Sequence, residues 1–537
     1  MAGYPPSIAN AFSLIRWYFF GIGAWESVPI GAMVNQDNGQ KYVMAIDQGT
    51  TGTAALVVNH DGRVVGWADR EISQHHPEPG WTSHDPEEIF QSALSVCRDA
   101  LDSAGLQPRQ LAAIGITNQR ETTVVWDRAT GQPVAPAVVW QCRRTAGMCD
   151  ELKRRGMEPI VRERTGLVID AYFSATKVRW LLDHTPDGQK RAEAGEFCAG
   201  TIDSWLLYRL TGGRVHATDV SNASRTMVFN IHTQDWDGDL LSSLEIPLCL
   251  MPKVRPSASI FGETDPDLIG AAVPIASLVG DQSAALFGQA CFQPGMVKNT
   301  YGTGSFLLMQ TGEQPVPPPS GLITTIGWQR EGLQTQYALE GSVFIAGAAI
   351  QWLRDGLGII EKASDTEEIS KSVGDTGGVY FVPAFAGLGA PHWDMYARGA
   401  MVGITGGTTR AHIVRATLEA IAYQVRDVLE AMRSTTSLEI SLHRADGGAS
   451  ANSFLMQFQA DMLGMPVEIP EIAETTALGA AHLAGLTMGF WESQDEVAAH
   501  WRVGRRYEPQ MSPHEADGLY ARWQRATERS KNWEPKG

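Results

Sequence analysis

Two short apolar runs, YVMAI and ALVVN, flank the polar stretch DQGTTGT near the start of the folded sequence. Apolar runs of this length bounded by glycine predict a β-hairpin, with Asp47 at the end of its first strand and Thr50, Thr51, Gly52 and Thr53 in and after its turn. The pattern returns in GMVKNTYGTGSFLLMQTGE, Gly295 to Glu313, so the chain is expected to contain an internal duplication. LAAIGITNQRETT reads as a further strand that ends in polar residues, and EISLHRADGGASANSFLMQF runs from a strand through Asp-Gly-Gly into a helix. Each half therefore reads as α/β.

Helical periodicity is clearest in HIVRATLEAIAYQVRDVLEAM, where Val414, Leu418, Ile421, Val425, Val428 and Met432 share one face and predict a core helix. TTALGAAHLAGLTMGF is rich in alanine and glycine, which permits close helix packing, with Thr475 or Thr476 as its cap. EQPVPPPSG predicts a rigid surface turn. The first forty residues differ from the rest. AFSLIRWYFFGIGAW is aromatic and apolar, but Arg16 interrupts it before the roughly 18 residues of a membrane span, and no basic residue precedes Arg16 as a signal peptide would require. Residues 1–40 are expected to form a disordered extension, with Met33 as an alternative start.

Composition narrows the function classes. Of 537 residues, 43% are hydrophobic and 19% charged, as in folded globular proteins. The formal net charge of -17, with no block of Lys and Arg, argues against a nucleic-acid partner. Six cysteines without a CxxC pair fit reduced thiols in a cytoplasmic protein.

The chemistry begins with Asp47. Glycines and hydroxyls in the turn can surround anionic oxygens, and an acid beside phosphate needs a cation between them. Asp47 is therefore expected to organise Mg²⁺, directly or through water, while Thr50, Thr51 and Thr53 line a phosphate pocket; a plain hairpin turn is the alternative. Asn452, after Asp-Gly-Gly, stands near a helix start whose free N–H groups can receive a nucleotide.

These features occur in order with DQGTT, GITNQRETT, VVWQCRRTA, TGLVIDAYFSATK, SNASRTMVFNIHT, GDQSAALFGQ, NTYGTGSF, YALEGSVFIAGAAIQWLRD, GLGAPHWDMYARGA and DGGASANSFLMQFQAD. Through them the chain resembles the FGGY carbohydrate kinases, from Tyr42 to about Trp523. The resemblance implies an α/β protein of two ribonuclease-H-like domains of the actin-like ATPase fold with an interdomain active-site cleft. The domains are expected at 41–290, the polyol and Mg²⁺/phosphate side, and 291–537, the nucleotide side. It implies ATP as co-substrate, held by Thr50, Thr51, Gly52, Thr303, Gly347, Gln351, Gly448 and Asn452. It implies glycerol as acceptor, held by Arg120, Glu121, Trp140, Tyr172, Asp281, Gln282 and Phe306, and leaves a homodimer or homotetramer open.

The residue types suit those roles. Arg120 and Glu121 at a strand end can donate to and accept from substrate hydroxyls, although such a pair is otherwise a surface salt bridge. Trp140, Tyr172 and Phe306 can pack on the carbon skeleton of a small polyol, or can be ordinary core aromatics. Asp281 immediately before a helix suits a general base, with an N-cap as its alternative role. Two departures stand out. Ala54 replaces the arginine that commonly follows DQGTT-x-x, and FGETDPDLIGAAVPI lacks the Gly-Gly-Thr-Arg loop through which some bacterial relatives bind fructose 1,6-bisphosphate. A pentulose kinase of the same family and an ATP-hydrolysing chaperone or filament are the competing functions.

Overall fold

The computed structural model describes residues 39–317, 321–440 and 442–534. The expected N-terminal extension up to residue 38, with Met33, and the tip of the proline-rich turn at 318–320 lie outside the described residues. The first hairpin forms as β1 (Tyr42–Gln48) and β2 (Gly52–Val58), paired antiparallel with Asp47 opposite Ala54. With β3 (Val64–Glu71), β4 (Leu111–Asn118), β5 (Ala258–Glu263) and β6 (Pro274–Gly280) it makes a six-stranded sheet in the order β5-β6-β4-β1-β2-β3.

The second sheet contains β7 (Met296–Tyr301), β8 (Ser305–Gly312), β9 (Ile323–Trp328), β10 (Gln336–Val343), β11 (Leu442–Asp446), β12 (Val467–Pro470) and β13 (Val503–Tyr507). Its order is β9-β10-β8-β7-β11-β12-β13. From β3 across to β5, neighbours in the first sheet pair antiparallel twice, parallel twice and antiparallel once. From β10 across to β13 the second sheet repeats that series, and β9 is an addition at its edge. The duplication expected from the two hairpins is thus a repeated sheet pattern, that of two ribonuclease-H-like halves of the actin-like ATPase fold.

Continuous apolar runs make β1 and β2 because both faces of the sheet are covered. Met44, Ile46, Ala55 and Val57 face the core shared with helix α1 (Pro86–Ala104). Val43, Ala45, Leu56 and Val58 join the core on the other face, which contains Ala477, Ala480 and Ala484. Helix α2 (Asp281–Gly288) follows β6, α3 (Gly347–Asp355) follows β10, and α4 (Arg410–Thr435) buries Val414, Leu418, Ile421, Val425, Val428 and Met432 as its periodicity predicts. Then come α5 (Ser453–Leu463) and α6 (Thr475–Thr487).

The alanines and glycines of α6 have a definite purpose. A Cβ on Gly288 of α2 would lie 1.9 Å from the Thr475 carbonyl oxygen, and one on Gly479 of α6 would lie 1.9 Å from that of Ala284. The two helices therefore meet backbone to backbone. Although α6 belongs to the second half of the sequence, it packs on β4, β1 and β6 of the first sheet, while α2 also reaches β9 of the second. This pair fastens the halves together beneath the site. The expected threonine cap is not used: Glu474 occupies the N-cap position of α6, and the Thr475 hydroxyl donates to Asp446. Among the described residues, no helix is long and apolar enough to cross a membrane.

Candidate active site

The strand end after β4 turns sharply. Arg120 has φ +47°, a left-handed conformation, and its N–H donates to the Asn118 carbonyl at 2.8 Å. Such a backbone costs a non-glycine residue on the order of 1 kcal/mol and persists where its surroundings hold it. Here they do. A Cβ on Gly280, at the end of neighbouring β6, would stand 2.8 Å from Arg120 Cγ, so only glycine lets the arginine stem cross the entrance of α2. Arg120 Nε then meets Asp281 Oδ1 at 3.0 Å. Asp281 is the first residue of α2, Gly280 holds the N-cap position, and Asp281 Oδ1 also accepts from the Gln282 N–H at 2.6 Å.

Arg120 and Glu121 form no surface bridge, because their side chains are 4% and 2% exposed. Glu340 of β10 accepts from both terminal nitrogens of Arg120, at 2.7 and 3.1 Å, and from both of Arg225, at 3.1 Å each. Arg225 Nε donates to Glu121 Oε1 at 2.7 Å, and Arg120 Nε is 3.7 Å from the same oxygen. Burial alone would push the Glu340 carboxyl up, but the two guanidiniums hold it down at about 2. The opposite balance applies at Asp281, where burial dominates and raises the carboxyl above its usual range despite Arg120.

Aromatic rings close this cluster on one side. Tyr172 accepts from Arg120 through its hydroxyl at 3.0 Å. Trp140 packs edge-on against Tyr172 and Phe306, with centroids 5.5 and 6.2 Å apart, and its indole N–H donates to Thr50 Oγ1 at 2.9 Å. The structure thus brings Arg120, Glu121, Trp140, Tyr172, Asp281 and Phe306 together, and Thr50 is tied to them. Gln282 lies deeper, where its side-chain oxygen accepts from Lys298 Nζ. Burial lowers that lysine to about 8.

A cavity of about 210 Å³ opens between the sheets, lined by Asp47 and Ala54 from the first and by Thr300, Asp446 and Gly447 from the second, with Glu474 at its edge. Burial, Asp281 and Glu474 together push the Asp47 carboxyl up to about 7. Asp446 Oδ2 accepts from Gln289 at 2.7 Å, whereas Asp446 Oδ1 is buried with no hydrogen-bond partner. Apolar Leu56, Trp67 and Ala477 also line the cavity, and carboxylates from both sheets with no cationic side chain in that lining would suit a hard divalent ion that keeps several waters. Thr53 is a correction. Its hydroxyl is buried against Ser92 Oγ at 2.6 Å, beneath α1, and lines no pocket.

The second hairpin turn docks on the start of α3. The Gly302 carbonyl accepts from the Gly347 N–H at 3.0 Å, and that of Thr303 accepts from Ala346 and Ala348. A Cβ on Gly347 would lie 2.6 Å from the Gly302 oxygen. Gln351 follows one turn later and is exposed. Gly447, at φ +84°, passes the end of β7 with room for no Cβ, exposed Gly448 follows, and Asn452 caps α5 by accepting from the Leu455 N–H at 3.0 Å. Thr303, Gly347 and Gln351 therefore cluster where the β7–β8 turn meets the start of α3, and Gly448 and Asn452 follow the Asp446 turn. Exposed Thr51, with Gly52, stays on the first hairpin, across the cavity.

Comparison with known proteins accounts for this plan. Residues 42–288 match the N-terminal domain of the FGGY family of carbohydrate kinases, and residues 297–488 match its C-terminal domain. The chain belongs to that family. As an FGGY kinase it is 58% identical over 494 residues to glycerol kinase 2 of Thermotoga maritima, covering 92% of this chain and 99% of that protein. It is 59% identical over 492 residues to the glycerol kinase of Symbiobacterium thermophilum, with the same coverage. Among solved structures, the Plasmodium falciparum glycerol kinase with ADP matches with a TM-score of 0.85 and 34% identity over 91% of this chain and 98% of that one. A ligand-bound xylulose kinase of Lactobacillus acidophilus shares the fold, with a TM-score of 0.82, 22% identity and coverage of 91% and 97%.

Sequence reasoning missed Arg225, Glu340, Lys298, Asp446 and Glu474 as members of the site. The first two stood inside SNASRT and YALEGS, and Glu340 carried a readable signal, a lone charge in an otherwise uncharged strand.

Proposed function

We propose that this FGGY kinase transfers the γ-phosphoryl group of ATP to a terminal hydroxyl of glycerol, giving glycerol 3-phosphate and ADP. The observation that carries this reading is the Arg120–Asp281 pair beside a run of aromatic rings, in which Tyr172 accepts from Arg120 and packs on Trp140, and Trp140 packs on Phe306, so that charged groups for hydroxyls stand next to apolar faces for a carbon skeleton. The glycerol kinases among its relatives support the same acceptor.

In this mechanism the protein mainly aligns the donor and acceptor, which suits phosphoryl transfer because little covalent work falls to side chains. Arg120 and Glu121 orient glycerol hydroxyls, with Gln282 behind them, and the aromatic walls exclude water. Thr303, Gly347, Gln351, Gly448 and Asn452 hold the nucleotide, and Thr50, Thr51 and Gly52 meet its phosphates. Asp47 would hold Mg²⁺, directly or through water, and the ion would there screen the charge between ATP and the acidic groups of the cavity. Asp281 accepts the hydroxyl proton as the oxygen–phosphorus bond forms and the bond to the ADP oxygen breaks. The raised proton affinity of Asp281 favours that transfer. Residues 41–290 form the acceptor and phosphate side and 291–537 the nucleotide side, with Phe306 reaching across. Closure of the halves removes competing water. A cytoplasmic setting agrees with six free cysteines.

One coupled assay tests the proposal by measuring ADP release with no acceptor, with glycerol and with xylulose. Release should depend on glycerol. Equal release without acceptor would identify an ATPase, and a preference for xylulose a pentulose kinase.

A further inference from the structure

The ring of buried charges behind the acceptor site is built from both halves of the molecule. Arg120, Glu121 and Arg225 belong to the first half, and Glu340 stands on β10 of the second sheet, opposite Leu308 of β8 and two positions from Ser342, the register partner of Phe306. Their side chains are 4%, 2%, 1% and 0% exposed. Two positive and two negative groups alternate around the ring, and the single Glu340 carboxylate is gripped by two guanidinium forks. Because Glu340 occupies both terminal nitrogens of Arg120, the one remaining nitrogen, Nε, points at Asp281. The other contacts of Arg120, with Tyr172 at 3.0 Å, Asp281 at 3.0 Å and Glu121 at 3.7 Å, all come from the first half, so Glu340 is the grip on its guanidinium that the second half supplies.

We propose that Glu340, braced by Arg225, is a positioning residue for acceptor phosphorylation: it fixes Arg120 from the opposite half of the molecule so that Arg120 Nε and Asp281 meet the acceptor hydroxyl in one geometry. Glu340 touches no reacting atom. Its effect passes through Arg120, and through Glu121 by way of Arg225. The acceptor site is therefore complete only when the second sheet supplies its carboxylate, whereas the nucleotide groups at Thr303, Gly347 and Asn452 lie outside the ring. The split between acceptor and nucleotide is the distinguishing consequence. A merely structural ring would lower stability and leave the kinetics of the folded enzyme unchanged.

This inference rests on the proposed glycerol kinase activity, so the parent enzyme is assayed first. Absence of glycerol-dependent ADP release in the parent defeats the proposed function and not the ring. With that activity present, Glu340→Gln keeps the shape and removes the charge, and Arg225→Lys keeps the charge and removes the fork. For each, thermal midpoint, binding of a non-hydrolysable ATP analogue, and kcat and KM for glycerol are measured together. The expected result is a fall of at least about 30-fold in kcat/KM for glycerol, the scale of a broken desolvated charge pair, with a raised glycerol KM and nucleotide affinity within about threefold of the parent. Glycerol kinetics within threefold of the parent in either folded variant would overturn the proposal. So would failure of both variants to fold, because the ring would then serve the fold and not the aim of Arg120.

Discussion

Replacing Asp281 with Asn separates chemistry from structure at the centre of the site. The change keeps the side-chain shape and removes the ability to take a proton. Its structural cost follows from the partners. Asp281 Oδ1 meets both Arg120 Nε at 3.0 Å and the Gln282 N–H at 2.6 Å, and the Asn amide oxygen can still accept from both, without the charge that assists the contact with Arg120. Arg120 is not stranded, because Glu340 keeps both of its terminal nitrogens. The lost charge-assisted contact is worth about 1.5–3 kcal/mol. Against it stands the relief of removing a carboxylate from a site where burial and Glu121 already disfavour its charge. The net change in stability should therefore be near zero, within about 1 kcal/mol. Catalysis should respond differently. Loss of a positioned general base costs roughly 10²–10⁴-fold, so kcat should fall by that factor while ATP binding persists. The assay couples ADP release to NADH oxidation with saturating glycerol, alongside calorimetry of ATP binding and a thermal midpoint. A variant that keeps turnover within tenfold of the parent would refute the assignment. The alternative, an N-cap role, has little room, because Gly280 occupies that position.

Ala54→Arg should tighten ATP binding by about 1–3 kcal/mol, since Ala54 lines the cavity opposite Asp47. Equal or weaker binding by calorimetry would mean that the guanidinium pairs with Asp47 or with Asp69, its partner on β3. Gly288→Ala should destabilise the protein by about 3 kcal/mol, because its Cβ would meet the Thr475 oxygen at 1.9 Å and backbone must move; an unchanged unfolding midpoint in denaturant would show that α2 and α6 tolerate separation. Asp203 is fully buried, and burial together with Asp219 pushes its carboxyl up to about 7. The folded chain thus holds this proton more tightly than the unfolded chain, so the stability it contributes is present below about pH 4 and lost as pH rises to about 7. Asp203→Asn can keep hydrogen bonds to Thr201 and Thr218 and should gain about 4 kcal/mol on the parent between pH 4 and pH 8; parallel stability curves for the two proteins would exclude the buried carboxyl as their source of slope.

The two hairpins, the α4 face and the close helix packing were legible because each is written in neighbouring residues. Glycine at a tight turn, an apolar run of strand length and a repeat of 3.6 residues are local signals, and tertiary packing did not override them here. Thr53 shows the limit of reading a motif residue by residue. Strand alternation sends Thr53 and Ala54 to opposite faces, so only one of them can reach the cavity, and it is the alanine. Thr475 shows a second limit, since its hydroxyl had a better offer from Asp446 than from its own helix end.

The charged ring marks a deeper limit. Glu340 stands 220 positions from Arg120 and 115 from Arg225, so no local pattern can pair them. What the sequence does display is a mismatch, a carboxylate between Leu339 and Gly341 in a strand buried on both sides of it. Burying an isolated carboxylate is far too costly to leave unpaired, which requires cationic partners from elsewhere in the fold. Physical chemistry thus dictates that Glu340 has partners, while leaving open which of the 43 lysines and arginines they are. The fold supplies their identity, and because the partners lie across the cleft, the residue that looked least suited to its own strand becomes the one that ties acceptor geometry to the meeting of the two halves.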